Sequence, residues 1–181
     1  MTADETETPA YRLMYLNQVY LLTTAHECDG DKCAPHIIPQ LWATAVSFNP
    51  PMVAISVAKD RFAHHAIQET REFVLNIPSH EMAQKVWGCA PSGRGREKFE
   101  RVGLTPIKAS KVSAPLIKEC MGAIECKVAH QIDAGDHSVF VAHVLTTHSN
   151  GEGKFLLNAD GQHNFTFTRQ GYSLKTGAQK K

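Results

Sequence analysis

Residues 42–67 read WATAVSFNPPMVAISVAKDRFAHHAI. Two short apolar runs, Val46–Phe48 and Met52–Val57, are separated by Asn49-Pro50-Pro51. Prolines cannot donate to a strand ladder, so the tripeptide predicts a connection between two strands. The second run ends at Ser56-Val57-Ala58-Lys59-Asp60-Arg61, and Phe62–Glu69 then has the composition of a two-turn helix that Asp60 is placed to cap. A helix beginning near Arg61 presents unpaired backbone N–H groups and the positive end of its dipole. Ser56 adds a hydroxyl donor, Lys59 a point charge, and Arg61 a fork matched to phosphate. Strand end, cations and helix start together make a candidate anion site. The competing reading is two solvated turn cations beside a capping aspartate.

On either side of this stretch, strand signals dominate. Val19–Thr24 is apolar and β-branched, and the Asp29-Gly30 pair after it marks a hairpin turn. Ile37–Phe48 continues as an interrupted strand, and Glu72–Ile77 is another short one. Ala123–Ile132 and Ser138–Leu145 flank Asp133-Ala134-Gly135-Asp136, a second hairpin, and Phe165–Thr168 alternates as a late edge strand would. Two further helices are expected: Ser79 to about Cys89, capped by its serine, and Arg96–Val102, ended by Gly103. Many short strands with a few peripheral helices predict a small, mainly β barrel rather than a parallel sheet.

The 181-residue length suits one domain, and Lys and Arg (19) nearly balance Asp and Glu (18), so nothing favours nucleic acid. No apolar stretch approaches the roughly 20 residues that cross a bilayer. The acidic, Thr-rich start lacks the features of a secretory signal, and five cysteines without a CxxC suggest reduced thiols. Both predict a cytoplasmic protein.

Several blocks in order carry a resemblance: the opening stretch, EFVLNIPS (72–79), KVWGCAPSGRGREKFERVGLTP (85–106), APLIKEC (114–120) and AGDHSVFVAHV (134–144). Over residues 15–147 the chain resembles the flavin reductase-like FMN-binding split-barrel family, flavoredoxin type. The resemblance implies a mainly β split barrel with peripheral helices that binds FMN. It divides the chain into a flexible tail (1–12), the barrel domain (13–150) and an extension of that domain (151–181).

It also implies roles for single residues. Backbone groups of Thr44, Ala45, Val46 and Ser47 would hydrogen-bond the edge of the flavin ring, with Trp42 close by. Ser56, Val57, Ala58, Lys59 and Arg61 match the stretch that holds the phosphate. The family often has a threonine at the position of Ala63, and His64 or backbone N–H groups could replace that hydroxyl. Asn76 sits where relatives keep asparagine, and either a flavin edge or a bridge between strands would satisfy its amide. Arg94 and Arg96 are phosphate contacts or solvated loop charges, and Trp42 is a ring neighbour or a core aromatic. His137 either lies near the flavin and the nicotinamide, positioning rather than ionising, or fixes its hairpin through Asp136.

The function implied is an FMN-binding oxidoreductase, a homodimer, taking electrons from NAD(P)H and passing them to free flavin, ferric iron or a protein acceptor. The chain has no GxGxxG fingerprint, so the nicotinamide would stack on the flavin rather than occupy a Rossmann site. The alternative is a non-catalytic FMN-binding electron carrier or flavin store. His26, Cys28, Cys33 and His36 form H-x-C-x4-C-x2-H around a turn, but the spacing fits no familiar zinc knuckle and no metal is assigned to it.

Overall fold

A computed structural model describes residues 11, 14, 16–29, 32–91, 95–149, 152–159, 165–167 and 172–173. The strands are β1 (Asn17–Gln18), β2 (Tyr20–Asp29), β3 (Lys32–Gln40), β4 (Ala43–Phe48), β5 (Pro51–Ala58), β6 (Glu72–Ile77) and β7 (Pro106–Ile107). They continue with β8 (Leu116–Ile117), β9 (Gly122–Ala134), β10 (His137–Ser149), β11 (Glu152–Gly153), β12 (Leu156–Asn158), β13 (Phe165–Phe167) and β14 (Tyr172–Ser173). Three α-helices accompany them: α1 (Phe62–Thr70), α2 (Ala83–Gly88) and α3 (Arg96–Val102).

Seven antiparallel strands form the main sheet in the order β3-β2-β6-β9-β10-β5-β4. Long β9 and β10 at its centre are joined by Gly135-Asp136, with Gly135 at φ 61°, a conformation that favours glycine in so short a loop. The sheet curls on itself. Leu22, Val53, Ile55, Phe73, Leu75, Val128 and Phe140 form one buried core, and Ile38 and Ala43, from the sheet's two end strands, both pack against it. Helix α1 presents Ala63 and Ile67 to this interior. Each large side chain so buried contributes about 2 kcal/mol. A second cluster, Val19, Leu21, Ile37, Val86, Phe99 and Leu156, joins α2 and α3 to the outside of the barrel. The expected mainly β split barrel with peripheral helices is therefore the fold observed.

Several boundaries differ from expectation. Pro51 opens β5 opposite Phe48 instead of lying in the connection, a first position where proline removes no ladder bond to the sheet's interior. The interrupted strand at 37–48 is two strands, β3 and β4, at opposite ends of the sheet order, parted at Leu41-Trp42. Arg61, not Asp60, is the N-cap residue of α1, and no side chain caps that helix. Ser79 does not cap a long helix either: it bridges Phe155, a 3-10 turn follows at His80–Met82, and α2 begins only at Ala83. Thr168 of the late edge strand lies outside the described residues; its neighbours 165–167 form β13 against β12.

Candidate functional site

A groove of about 1010 Å3 opens where β3, β5 and the β9–β10 hairpin converge. Gln40 builds its floor. Its Nε2 donates to the carbonyls of Trp42 (2.8 Å) and Ser56 (2.9 Å), and the Ser56 N–H donates to Trp42 O at 2.9 Å. The end of β3 is thus tied to the middle of β5, and Trp42 is held in the link between them.

One end of the groove is cationic. Ser56, Val57, Ala58, Lys59 and Arg61 all line it, as the sequence predicts. The Lys59 N–H donates to Asp136 O (2.9 Å), which fixes the turn against the hairpin, while its ammonium lies 3.5 Å from Asp133 Oδ2. Arg61, at the N-terminus of α1, has its Nε 3.7 Å from Oδ1 of the adjacent Asp60. With no acidic residue in its first turn and no side-chain cap, α1 leaves its positive pole to serve an anion.

The other side of the groove is aromatic. Trp42 is 38% exposed and so is no core residue. Its ring lies 4.8 Å from that of His137, tilted by 36°, and 6.4 Å from Tyr11. His137 Nδ1–H donates to Asp136 Oδ1 at 2.7 Å, which leaves Nε2 as the ring's other nitrogen. That hydrogen bond, and the charge of the imidazole, hold the Asp136 carboxyl below its ordinary range. The hairpin contact expected of His137 is thus present, and the same side chain lines the groove.

Edge strand β4 runs away from the groove, paired with β5 on one side. Thr44 lines an adjoining hollow with Trp42 and Ser56. Ala45, Val46 and Ser47 lie further along and line neither space, and Val46 is the extra residue of a bulge between Ala45 and Ser47.

Two expected contacts are displaced. Asn76 is fully buried with its amide taken by protein: Nδ2 donates to Leu21 O (3.1 Å) and Thr23 Oγ1 (3.0 Å), and Oδ1 accepts from the Ile117 N–H (2.8 Å). It bridges strands and does not face the groove. His64 points inward under α1, 5% exposed, edge-on to Phe140, with Nε2 2.9 Å from Ser138 Oγ. Helical geometry sends it to the face it shares with Ile67 rather than to the anion end. Arg94 lies outside the described residues, and Arg96 is exposed at the start of α3. The side chains of Cys28 and Cys33 are also outside the described set; His26 and His36 stand edge-on to Phe62. Among the described residues no group of three potential metal ligands converges.

Gln40 and Ser138 carry no local signal as site residues, and Asp133 and Asp136 are marked in the sequence only as hairpin residues, Asp136 also by its adjacency to His137. Gln40 acts on β5 across the sheet, whereas Asp133 and Ser138 meet across their own hairpin.

The chain is 38% identical over 135 residues to an uncharacterized protein of Pyrococcus abyssi, covering 75% of each. Its structure is similar to that of flavoredoxin from Desulfovibrio vulgaris (Miyazaki F), with a TM-score of 0.75, 24% identity and 93% of each chain covered. It is also similar to the NADH:FAD oxidoreductase of Streptomyces globisporus C-1027, with a TM-score of 0.74, 19% identity, and 92% and 95% of the two chains covered. Residues 12–166, most of the chain, match the flavin reductase like domain, and the protein belongs to that family.

Proposed function

We propose that this protein binds FMN in the groove and acts as a flavin reductase-type oxidoreductase, moving electrons from NAD(P)H to free flavin, ferric iron or a protein acceptor. The observation that carries this reading is one groove with two cations, a serine and an uncapped helix start at one end and the Trp42–His137 pair at the other. A single cationic turn suits one terminal phosphate, hence FMN. Family membership and likeness to a flavoredoxin and an NADH:FAD oxidoreductase support the reaction class.

Lys59, Arg61 and the Ser56 hydroxyl would hold the phosphate by charge-assisted hydrogen bonds. Thr44, which lines the adjoining hollow, would meet the ring edge through a backbone group that needs no titration; Ala45, Val46 and Ser47 line neither space and are left out of that contact. Trp42 lines the groove and would lie close to the ring. His137, locked by Asp136, would position the nicotinamide beside the ring. When bound, the flavin supplies hydride acceptance and release. Three described cysteines, Cys89, Cys120 and Cys126, are buried free thiols, which suits the reducing cytoplasm we assign. Among the described residues no helix is long and apolar enough to cross a membrane. We further assign a homodimer.

The test begins with an absorption spectrum of the purified protein, then anaerobic mixing with NADH or NADPH. Flavin maxima bleached by either nucleotide support the reductase; bleaching by dithionite alone marks an electron carrier. Lys59→Ala with Arg61→Ala should weaken FMN binding by roughly ten- to hundredfold, since each charge-assisted contact is worth about 1.5–3 kcal/mol before solvent screening, and leave riboflavin binding unchanged. Full flavin retention in that variant would remove the phosphate assignment.

A further inference from the structure

Behind the cationic end of the groove, a line of polar contacts runs into the protein. It starts at Lys59, whose ammonium is 3.5 Å from Asp133 Oδ2. The other oxygen, Asp133 Oδ1, accepts the Ser138 hydroxyl at 2.8 Å. The same hydroxyl is 2.9 Å from His64 Nε2. A serine has one hydroxyl hydrogen, and here it goes to the carboxylate. Ser138 Oγ must therefore accept from His64, so Nε2 carries the proton. Nδ1 is then a bare lone pair, and it is buried without a hydrogen-bond partner.

The two inner members of this line, Ser138 and His64, are buried. Ser138 is fully buried on β10, opposite Val57 of β5 and Asp133 of β9. His64 is wedged between α1 and Phe140, and burial, its first cause, keeps its pKa below the ordinary histidine value, so the ring stays neutral. The Ser138 hydroxyl and then Lys59 lower the Asp133 pKa, so that carboxyl is ionised. The outer pair is open to solvent, with the Lys59 side chain 40% and that of Asp133 66% exposed, so Asp133 owes its placement to the Ser138 hydroxyl. Arg61, the groove's other cation, has no comparable support; its contact is with the exposed Asp60 next to it.

We propose that His64, Ser138 and Asp133 are positioning residues that hold the Lys59 ammonium at the groove for the phosphate of a bound mononucleotide. The inference rests on the phosphate reading above. A lysine side chain loses much rotamer freedom when it binds, so a tether formed beforehand lowers that loss. An ammonium has three hydrogens, and one directed at Asp133 leaves two for the ligand. Asp133 is itself a negative charge near an anion, but its side chain is 66% exposed, and solvent screens that repulsion.

The experiment measures dissociation constants for FMN and riboflavin on the full chain, in a cycle of Ser138→Ala, Lys59→Ala and the double variant. Ser138→Ala should weaken FMN about three- to tenfold and leave riboflavin unchanged, and should have no further effect once Lys59 is alanine. His64→Gln, whose amide can replace the Nε2 donor, should stay within about twofold of the parent, while His64→Leu should repeat the Ser138→Ala loss. A Ser138→Ala loss shared by riboflavin, persisting without Lys59, or replaced by tighter or unchanged FMN binding would overturn the tether. A Gln variant as weak as the Leu variant would remove His64 from it. Should His64→Leu fail to fold, the Ser138–Lys59 cycle decides alone. If Lys59→Ala leaves FMN binding unchanged, the phosphate reading itself has failed. If only the Ser138 effect is missing, the phosphate reading stands and the positioning role falls.

Discussion

Lys98 shows what burial does to one charge. It sits on α3 with 2% of its surface exposed, beside Cys89 and Arg101. Loss of hydration, more than the neighbouring Arg101 and Arg61 charges, pushes its pKa down to about 8. The ordinary lysine value is about 10.4, so between pH 8 and that value the unfolded chain binds more protons than the native one, and stability rises with pH there. Below pH 8 both states are protonated and the penalty is at its full size. Lys98→Met should therefore stabilise the protein at pH 6.5 by about 1–3 kcal/mol, with the gain shrinking towards pH 10. Cys89, whose thiol burial raises to about 11, acts in the opposite direction above pH 9; because Lys98 lowers that pKa, removing Lys98 raises it further, and the comparison is cleanest below pH 9, where the thiol is protonated in both proteins. Urea unfolding of the pair at pH 6.5, 8 and 9.5 gives the comparison; an unchanged midpoint at pH 6.5 would refute it. Sequence alone marked Lys59 and Arg61, because cations straight after an apolar strand are locally conspicuous. It could not mark Lys98, whose strain comes from what α3 packs against, and for Asn76 it left a flavin edge and a bridge between strands both open; the structure has the bridge, from β2 to the segment before Cys120.

Elements were readable to the extent that their signals are local. The β9–β10 hairpin follows from Asp-Ala-Gly-Asp, and α3 ends at Gly103 with φ 65°, where the Gly103 and Leu104 N–H groups bond back to Glu100 and Phe99. The start of α1 was misread because Asp60 is a good capping type, yet the chain needs that turn to bring Lys59 onto Asp136, and Arg61 becomes the boundary residue. Helix α2 was overextended because the apolar periodicity of 79–90 serves a 3-10 turn and a short helix equally well. What fixes α2 is its contact with α3. A Cβ on Gly88 would lie 2.7 Å from Val102 Cγ1, a stiff β-branched atom with little freedom to move. Gly88→Ala should destabilise by about 1–3 kcal/mol through overpacking, and Val102→Ala in the same chain should recover part of that loss. Thermal or urea midpoints of the four proteins give the coupling. Additive losses would mean the two positions do not meet.

The path of the whole chain, with β3 and β4 consecutive in sequence yet at opposite ends of the sheet order, is not contained in any local pattern; the resemblance supplied the split barrel but not this strand order. That arrangement makes β4 an edge strand, and its outer surface is apolar: Val46 is 49% and Phe48 99% exposed. An exposed apolar edge invites pairing with another chain unless something covers it. The bulge at Val46 limits simple strand addition, so a cover that packs side chains fits better than one that extends the ladder. A second copy of this chain is the cover we assign, and because Trp42 lies in the link just before β4 and Thr44 lines the hollow beside the groove, that copy would close the open side of the proposed flavin site. Val46→Asp with Phe48→Asp should therefore convert a dimer, twice the 20.0 kDa chain mass, to a monomer in light scattering, with the circular dichroism of the barrel unchanged. Flavin content should fall together with the dimer, since the groove would then be open to solvent on one side. A parent protein that runs as a monomer at micromolar concentration would remove the dimer. A monomeric variant with undiminished flavin would show that each groove is complete within its own chain.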